Sequence, residues 1–465
     1  MKRRSRYQRG VPQVSNLRPG TEAPDSPKSS HPPVLVQIEK PVYNGAFLAR
    51  DEGKAVFVPF TLPGEQVRVR ITDDKRSYAS AELVEVETAA PERIAPRCPH
   101  FGPCGGCHYQ HAEYETQLAF KQAILRETLT RAGITPPENI EVLAGQPWEY
   151  RNRVRLAFDA QGNPAYRGRR SHSFVSIREC PITAPLLVNA AFAIAGVVRR
   201  FTPWLQPTEM ALFSNSEETA LLVSLFISRP TKVAIDELCS EVKRRVPQLA
   251  GAELALEGRE NEPPKTVAQW GEPALIYRSA CADYRVDHGA FFQVNRWLVD
   301  ALVERVTAGQ SGMLAWDLFA GVGLFARKLA ESFDRVVAVE SAPAATDALA
   351  ANLEGAGNPA QAELGRAARC ECVARSTLQF LRQHRSERPD LIVMDPPRTG
   401  LGPEVTSLIA QISAPAVTYV SCDPATLARD LRALLAAGYE IESVTLADLF
   451  PQTFHLETVV RMRIP

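Results

Sequence analysis

A cysteine that ends an apolar run and is followed at once by a turn is placed to act as a nucleophile. This chain of 465 residues has one at Cys422, within Tyr419-Val420-Ser421-Cys422-Asp423-Pro424. A strand that stops there delivers the thiol to the edge of a sheet, where open α/β folds keep their ligands. A lone cysteine is otherwise most often a packing residue, so its meaning depends on what else reaches the same edge. Three other segments point there. Asp317-Leu318-Phe319-Ala320-Gly321-Val322-Gly323-Leu324-Phe325 follows an apolar run and leads into a helical one. Leu391-Ile392-Val393-Met394-Asp395-Pro396-Pro397-Arg398 is a buried-strand pattern broken by two prolines, and Phe450-Pro451-Gln452-Thr453-Phe454-His455-Leu456-Glu457 is a loop that presents a carboxylate. Together they read as a cofactor pocket with an attacking thiol at Cys422 and a base at Glu457.

A second constellation lies in Cys98-Pro99-His100-Phe101-Gly102-Pro103-Cys104-Gly105-Gly106-Cys107. The glycines between Cys104 and Cys107 let the backbone curl so that both sulfurs reach one metal centre, and Cys180 offers a fourth ligand. Four thiolates suit either an iron–sulfur cluster or zinc. A disulfide framework is not expected of 9 cysteines scattered over 465 residues with no secretory leader.

The elements that must hold these groups follow from pattern. Short β-rich runs at 34–38, 55–60, 65–71 and 80–86 predict a small barrel, of a kind that holds single-stranded nucleic acid or serves as a structural add-on. Over 150–158 the side chains alternate, with Arg151, Arg153 and Arg155 on one side and Val154, Leu156 and Phe158 on the other. With Arg167, Arg169 and Arg170 nearby, that row reads as an RNA phosphate surface, or more simply as a solvated face. Residues 186–285 show strands and one helix but no chemistry. From 291 onward strand and helix alternate as in a doubly wound parallel sheet. Glu340 ends a strand roughly two dozen residues after Asp317, where an acidic side chain binds ribose hydroxyls. Gly321 and Gly323 lack the third glycine of a dinucleotide fingerprint, so nicotinamide enzymes and methyltransferases both remain until Asp395-Pro396-Pro397-Arg398 favours the latter.

Composition excludes little. Lys+Arg and Asp+Glu balance at 53 each, so affinity for nucleic acid must come from local patches. No apolar run is read as a membrane span, and no membrane partner is expected. A basic, Pro- and Ser-rich tail over 1–33 is expected to be disordered, and the cytoplasm is the expected location.

These motifs resemble the RNA uracil-5 methyltransferases, whose signatures include Phe-Gln-Val-Asn, here Phe292-Gln293-Val294-Asn295, with the Asp-Leu-Phe-x-Gly-x-Gly, Asp-Pro-Pro-Arg and Ser-Cys-Asn-Pro patterns and a His-Val-Glu ending. The chain departs at Asp423, where Asn is usual, and at Leu456, where Val is common. Gly53-Lys54-Ala55-Val56-Phe57-Val58-Pro59 and Leu62-Pro63-Gly64-Glu65 resemble the TRAM module of RNA-modifying enzymes. The resemblance implies an α/β protein: a TRAM-like barrel over 34–90, a central α/β domain over 91–285 with the cysteines and the RNA surface, and a Rossmann-like class I methyltransferase domain over 286–465. It implies S-adenosylmethionine bound by Gln293, Phe319, Glu340 and Asp395, and a 4Fe-4S cluster on Cys98, Cys104, Cys107 and Cys180. It also implies methylation at C5 of a uridine, in 23S rRNA rather than tRNA, by a monomer. An amino-group methyltransferase would prefer an aromatic residue where Arg398 stands. A non-catalytic RNA-binding module would not need both Cys422 and Glu457.

Overall fold

The computed structural model describes residues 32–465 except 170, 172, 259–261 and 358–367. The tail, apart from its last two residues, and Arg170 therefore lie outside the described residues. Five strands, β1 (Val34–Val42), β2 (Ala46–Asp51), β3 (Lys54–Pro59), β4 (Gln66–Asp74) and β5 (Tyr78–Thr88), close into a barrel in the order β1-β2-β3-β5-β4. Strand alternation points Val36, Ile38, Val67 and Val69 into its core. The β1–β2 turn holds Gly45 at φ +77°, and a Cβ there would meet the His108 ring at 3.0 Å. Glycine at this point is what lets the barrel sit against the cysteine segment.

Helix α1 (Tyr114–Arg131) and the short strand β6 (Glu141–Leu143) come next. The sequence reading assigns both to the central domain, and the structure corrects that. Ile124, Leu125 and Leu129 of α1 share a core with Trp316, Leu318 and Ile392 of the C-terminal sheet, and β6 adds a strand to that sheet's edge. A helix packs its apolar residues on whichever surface they can cover, and local sequence does not say which one is adjacent.

The central sheet contains β7 (Arg153–Phe158), β8 (Pro164–Arg167), β9 (Phe174–Ser176), then after α2 (Pro185–Leu205) β10 (Pro207–Ser214) and β11 (Leu221–Ile227), and after α3 (Ile235–Arg245) β12 (Leu249–Leu256) and β13 (Lys265–Gly271), in the order β13-β12-β11-β10-β7-β8-β9. By length and composition α2 is apolar enough to cross a membrane, which the reading of the sequence overlooked. Its Leu187, Ala190, Ile194 and Val198 pack into the central core with Val223 and Leu225. A hairpin of β14 (Ala274–Arg278) and β15 (Asp283–Asp287) leads to the last unit.

There α4 (Val299–Thr307), β16 (Gly312–Leu318), α5 (Leu324–Leu329), β17 (Phe333–Glu340), α6 (Pro343–Leu353), β18 (Arg369–Ala374), α7 (Thr377–His384), β19 (Leu391–Met394), α8 (Gly402–Ile412), β20 (Ala416–Ser421), α9 (Pro424–Ala436), β21 (Glu440–Ala447) and β22 (Glu457–Arg463) build an eight-stranded sheet ordered β18-β17-β16-β19-β20-β22-β21-β6. The chain runs outward from β16 in both directions, so the crevice lies past the ends of β16 and β19. Antiparallel β22 pairs Thr458 with Ser421 of β20. That register brings Glu457 to the edge where β20 releases Cys422.

Candidate active site

A cavity of about 690 Å³ opens at this edge, and Gln293, Phe319, Glu340, Asp395, Cys422 and Glu457 all line it. Each arrives from a different connection. Phe319 follows β16 and holds φ +63°, a conformation that costs a bulky residue about 1–3 kcal/mol and that concentrates at ligand sites. Gly323, at φ +88°, allows α5 to start against α6, since a Cβ there would lie 2.8 Å from Leu349. Glu340 is fixed by backbone donors: Gly321 N–H to Oε2 at 2.9 Å, and the Ser341 and Ala342 N–H groups to Oε1, each at 2.6 Å. A carboxylate so held keeps spare lone pairs for hydroxyl donors such as a ribose diol.

The electrostatics of the cavity favour a cation. Burial pushes Asp395 up to about 7. Burial and then the Asp395 carboxylate push Glu457 well above the usual range. Burial, followed by Glu457 and Asp395, pushes the Cys422 thiol up to about 12, with Arg398 opposing. Three acids crowded at one partly buried site resist ionising together, and a positive ligand relieves all three. Behind them Asp317 is fully buried and pushed up to about 8, with Oδ2 accepting from Ala326 N–H at 2.8 Å.

Several contributors went unnoticed in the sequence. Arg398 Nη2 donates to His455 Nδ1 at 2.9 Å, and burial and the guanidinium hold that imidazole down to about 3, neutral and able to accept. The Asp-Pro-Pro-Arg motif contained this cation, but nothing near it in sequence named its partner. Tyr43, from the barrel turn, donates to Asp423 Oδ2 at 3.2 Å. Asp423 Oδ1 accepts from Ala425 and Thr426 N–H at 3.0 and 2.9 Å and so caps α9. The aspartate that departs from the usual asparagine therefore keeps the capping function.

Cys98, Cys104, Cys107 and Cys180 surround a separate cavity of about 90 Å³. Among the described residues no three His, Cys, Asp or Glu side chains converge on a point that would hold one metal ion. The four cysteines instead share the lining of a void roomier than one water's share of liquid, about 30 Å³. Gly106 N–H donates to Cys104 Sγ at 3.4 Å and Thr183 Oγ1 to Cys180 Sγ at 3.2 Å. Burial pushes the Cys98 thiol up to about 11 and that of Cys107 up to about 12. Cys107 is buried, and Cys98, Cys104 and Cys180 are half-buried.

The arginine row is not the uniform surface that alternation suggested. Arg151 lines the cysteine cavity. Arg153 is half-buried and donates to the carbonyls of Ala290, at 2.8 Å, and Phe292. Only Arg155 is exposed, lying 4.1 Å from the centre of the Phe226 ring and paired with Glu209. The period of a strand fixes which side a residue takes, but not whether another segment covers that side. Arg155 does line a groove of about 600 Å³ with Arg167, Arg169, Tyr166 and Phe454. Phe454 stands next to His455, which lines the larger cavity with Glu457, so the two cavities are joined through this loop.

Comparison with known proteins agrees with this architecture. A family profile described as tRNA (Uracil-5-)-methyltransferase matches residues 274–463, and a TRAM domain profile matches 33–84. A Thermotoga maritima protein named as an uncharacterized RNA methyltransferase is 31% identical over 92% of this chain and 98% of its own length. A 23S rRNA (uracil(1939)-C(5))-methyltransferase RlmD from Chromohalobacter salexigens is 32% identical over 91% of this chain and 88% of its own. Among solved structures, the Pyrococcus abyssi tRNA (uracil-54, C5)-methyltransferase in complex with S-adenosyl-L-homocysteine superposes with a TM-score of 0.70, covering 92% of this chain and 100% of that one at 22% identity.

Proposed function

Since this chain belongs to the RNA uracil-5 methyltransferases, which use S-adenosylmethionine, we propose that it methylates a uridine of 23S rRNA, with Cys422 as nucleophile and Glu457 as proton acceptor. The assignment of the two roles rests on one observation: the thiol and the carboxyl open on the same cavity as Asp395 and Glu340. The rRNA substrate is favoured by relatives named for it that match along nine-tenths of the chain. Mass spectrometry of rRNA and tRNA nucleosides from a deletion strain tests it; loss of 5-methyluridine from tRNA alone overturns the choice.

Uracil C5 is a poor nucleophile. Addition of the Cys422 thiolate to C6 forms a carbon–sulfur bond and moves the displaced electron pair toward C5 and O4. S-adenosylmethionine supplies an electrophilic methyl group. Glu457 then takes the C5 proton, the pair left behind reforms the C5–C6 double bond, and the sulfur departs with the electrons of the C6–S bond. Gln293, Phe319, Glu340 and Asp395 are the cofactor's binding residues in this reading, with Glu340 on the ribose. A base in a duplex cannot present C6 to a thiol, so the uridine must be unstacked or extruded.

Cys98, Cys104, Cys107 and Cys180 would hold a 4Fe-4S cluster with a structural role. The family resemblance favours a cluster over zinc, and the four cysteines line one cavity. Protein purified without oxygen is expected to be brown and to carry about four irons per chain. Substitution of any one of the four cysteines should remove the colour, whereas changes at Cys239, Cys281, Cys370 and Cys372 should not. Colourless protein with one zinc refutes the cluster.

RNA flanking the target is proposed to follow the groove past Arg155 and Arg167. Replacing both with alanine should weaken RNA binding and flatten its salt dependence, by about 0.7 in logarithmic slope for each lost contact to a single strand. Affinity for S-adenosylmethionine should be unchanged. An unaltered salt slope would place the RNA elsewhere.

A further inference from the structure

We propose that the four-cysteine centre anchors the loop that carries the proton acceptor, with Tyr150 and the His108–Tyr109 backbone as positioning groups. The inference rests on the reading of Glu457 as that acceptor. Two cysteine-bearing segments reach the loop separately and meet at adjacent carbonyls. Directly after Cys107, the N–H groups of His108 and Tyr109 both donate to Gln452 O, at 2.8 and 3.0 Å. From the other side, the turn after Cys180 pairs with residues 149–151 through Glu149 N–H to Pro181 O and Arg151 N–H to Ile182 O, both at 2.9 Å. Between those two bonds Tyr150 is fully buried, and its hydroxyl donates to Pro451 O at 3.1 Å.

Apolar packing repeats the connection. Cys107, Tyr150, Ile182 and Val294 form one small buried cluster, against which Cys180 and Phe450 pack. Phe450 also lines the catalytic cavity. The loop has little slack of its own: Thr453 Oγ1 donates to Phe450 O at 2.8 Å, and His455 N–H to Thr453 Oγ1 at 3.2 Å. Gln452 holds φ +68°, a left-handed conformation that a non-glycine residue keeps only when its surroundings impose it. Glu457 therefore starts β22 from a loop tied on one side to the cysteine segments and on the other to α1, where Gln452 N–H donates to Gln117 Oε1 at 3.0 Å and Lys121 Nζ to Phe450 O at 3.0 Å. Cys422 leaves β20, and none of these bonds reaches it. If the centre is lost, proton removal from C5 should suffer before thiol addition at C6.

Hydrogen exchange and adduct trapping test this on the full chain prepared without oxygen. Tyr150→Phe removes one anchoring bond and leaves all four cysteines in place; Cys107→Ser removes a ligand. In both, peptides covering 448–456 and the amides of His108 and Tyr109 should exchange faster, on the order of fivefold for the single bond lost in Tyr150→Phe. Peptides of β16 and β20 should not change, nor should affinity for S-adenosylmethionine. With RNA and methyl-labelled cofactor, both variants should accumulate a labelled, denaturation-resistant adduct that wild type does not. Unchanged exchange in the loop overturns the proposal, and so does exchange that rises equally across the whole protein. Should Glu457→Gln fail to trap an adduct, the acceptor reading falls, while the exchange data still decide whether the loop is anchored.

Discussion

Cys422→Ala is expected to lose methyl transfer by a factor on the order of 10⁴ or more, since losing the group that forms the covalent bond removes the whole route. It should also lose every covalent complex with RNA. The side chain is half-buried at the end of β20 and no hydrogen bond that builds the sheet depends on it, so the variant should fold and bind S-adenosylmethionine normally. The thiol itself can be followed. Burial, with the two carboxyls beside it, holds it up to about 12, so without cofactor its thiolate fraction should rise about tenfold for each pH unit between 7 and 10. Alkylation by iodoacetamide should follow that slope. S-adenosylmethionine, which brings a sulfonium cation among Asp395, Glu457 and Cys422, should speed alkylation at fixed pH, whereas S-adenosylhomocysteine, whose sulfur is an uncharged thioether, should not. Substantial methylation by Cys422→Ala would remove the thiol from the mechanism.

Glu457→Gln should separate the steps. Addition and methyl transfer precede proton removal, so the variant should stall as a methylated adduct that migrates with RNA under denaturing conditions, with turnover reduced by about 10²–10⁴. Wild-type enzyme given RNA with 5-fluorouridine at the target should trap in the same way, because fluorine cannot leave as a cation. The pH dependence has a definite sign. Burial and Asp395 raise the Glu457 carboxyl well above its ordinary range, so the ionised form that accepts the proton is lost as pH falls. Elimination from an adduct already formed should therefore slow toward acid pH, read by forming the methylated adduct at one pH and following its decay after a jump to a lower one. Label that never accumulates in Glu457→Gln would place the base elsewhere and leave Cys422 untouched.

The cavity was legible because its parts are local. Phe319, Asp395 and Cys422 each follow an apolar strand, and a parallel sheet brings such strand ends to one edge, so composition and punctuation were enough to gather them. Glu457 was legible through its loop, although only the pairing of Thr458 with Ser421 shows why it arrives beside the thiol. Tyr43 was not legible. It acts on Asp423 across 380 positions of sequence, and no periodicity encodes a contact between a barrel turn and a helix cap. The arginines on β7 show the same limit, since alternation set their side correctly while Ala290 and Phe292 claimed Arg153.

The edge strand supplied by β6 sets an order on synthesis. Glu141 lies beside Thr445 in the finished sheet, and 304 positions separate them. At about 5–20 residues per second the ribosome needs roughly 15–60 s to cover that distance. The barrel can close within that interval from its own strands. Helix α1 cannot, because Ile124, Leu125 and Leu129 have their partners on a sheet not yet made. Lys121 waits as well, for an aspartate at 448 with which it ends fully buried, 2.5 Å from its Oδ1. The nascent chain thus carries an uncovered apolar stripe for much of its translation, a surface suited to chaperone binding, and a chain released before β16 would keep that stripe permanently.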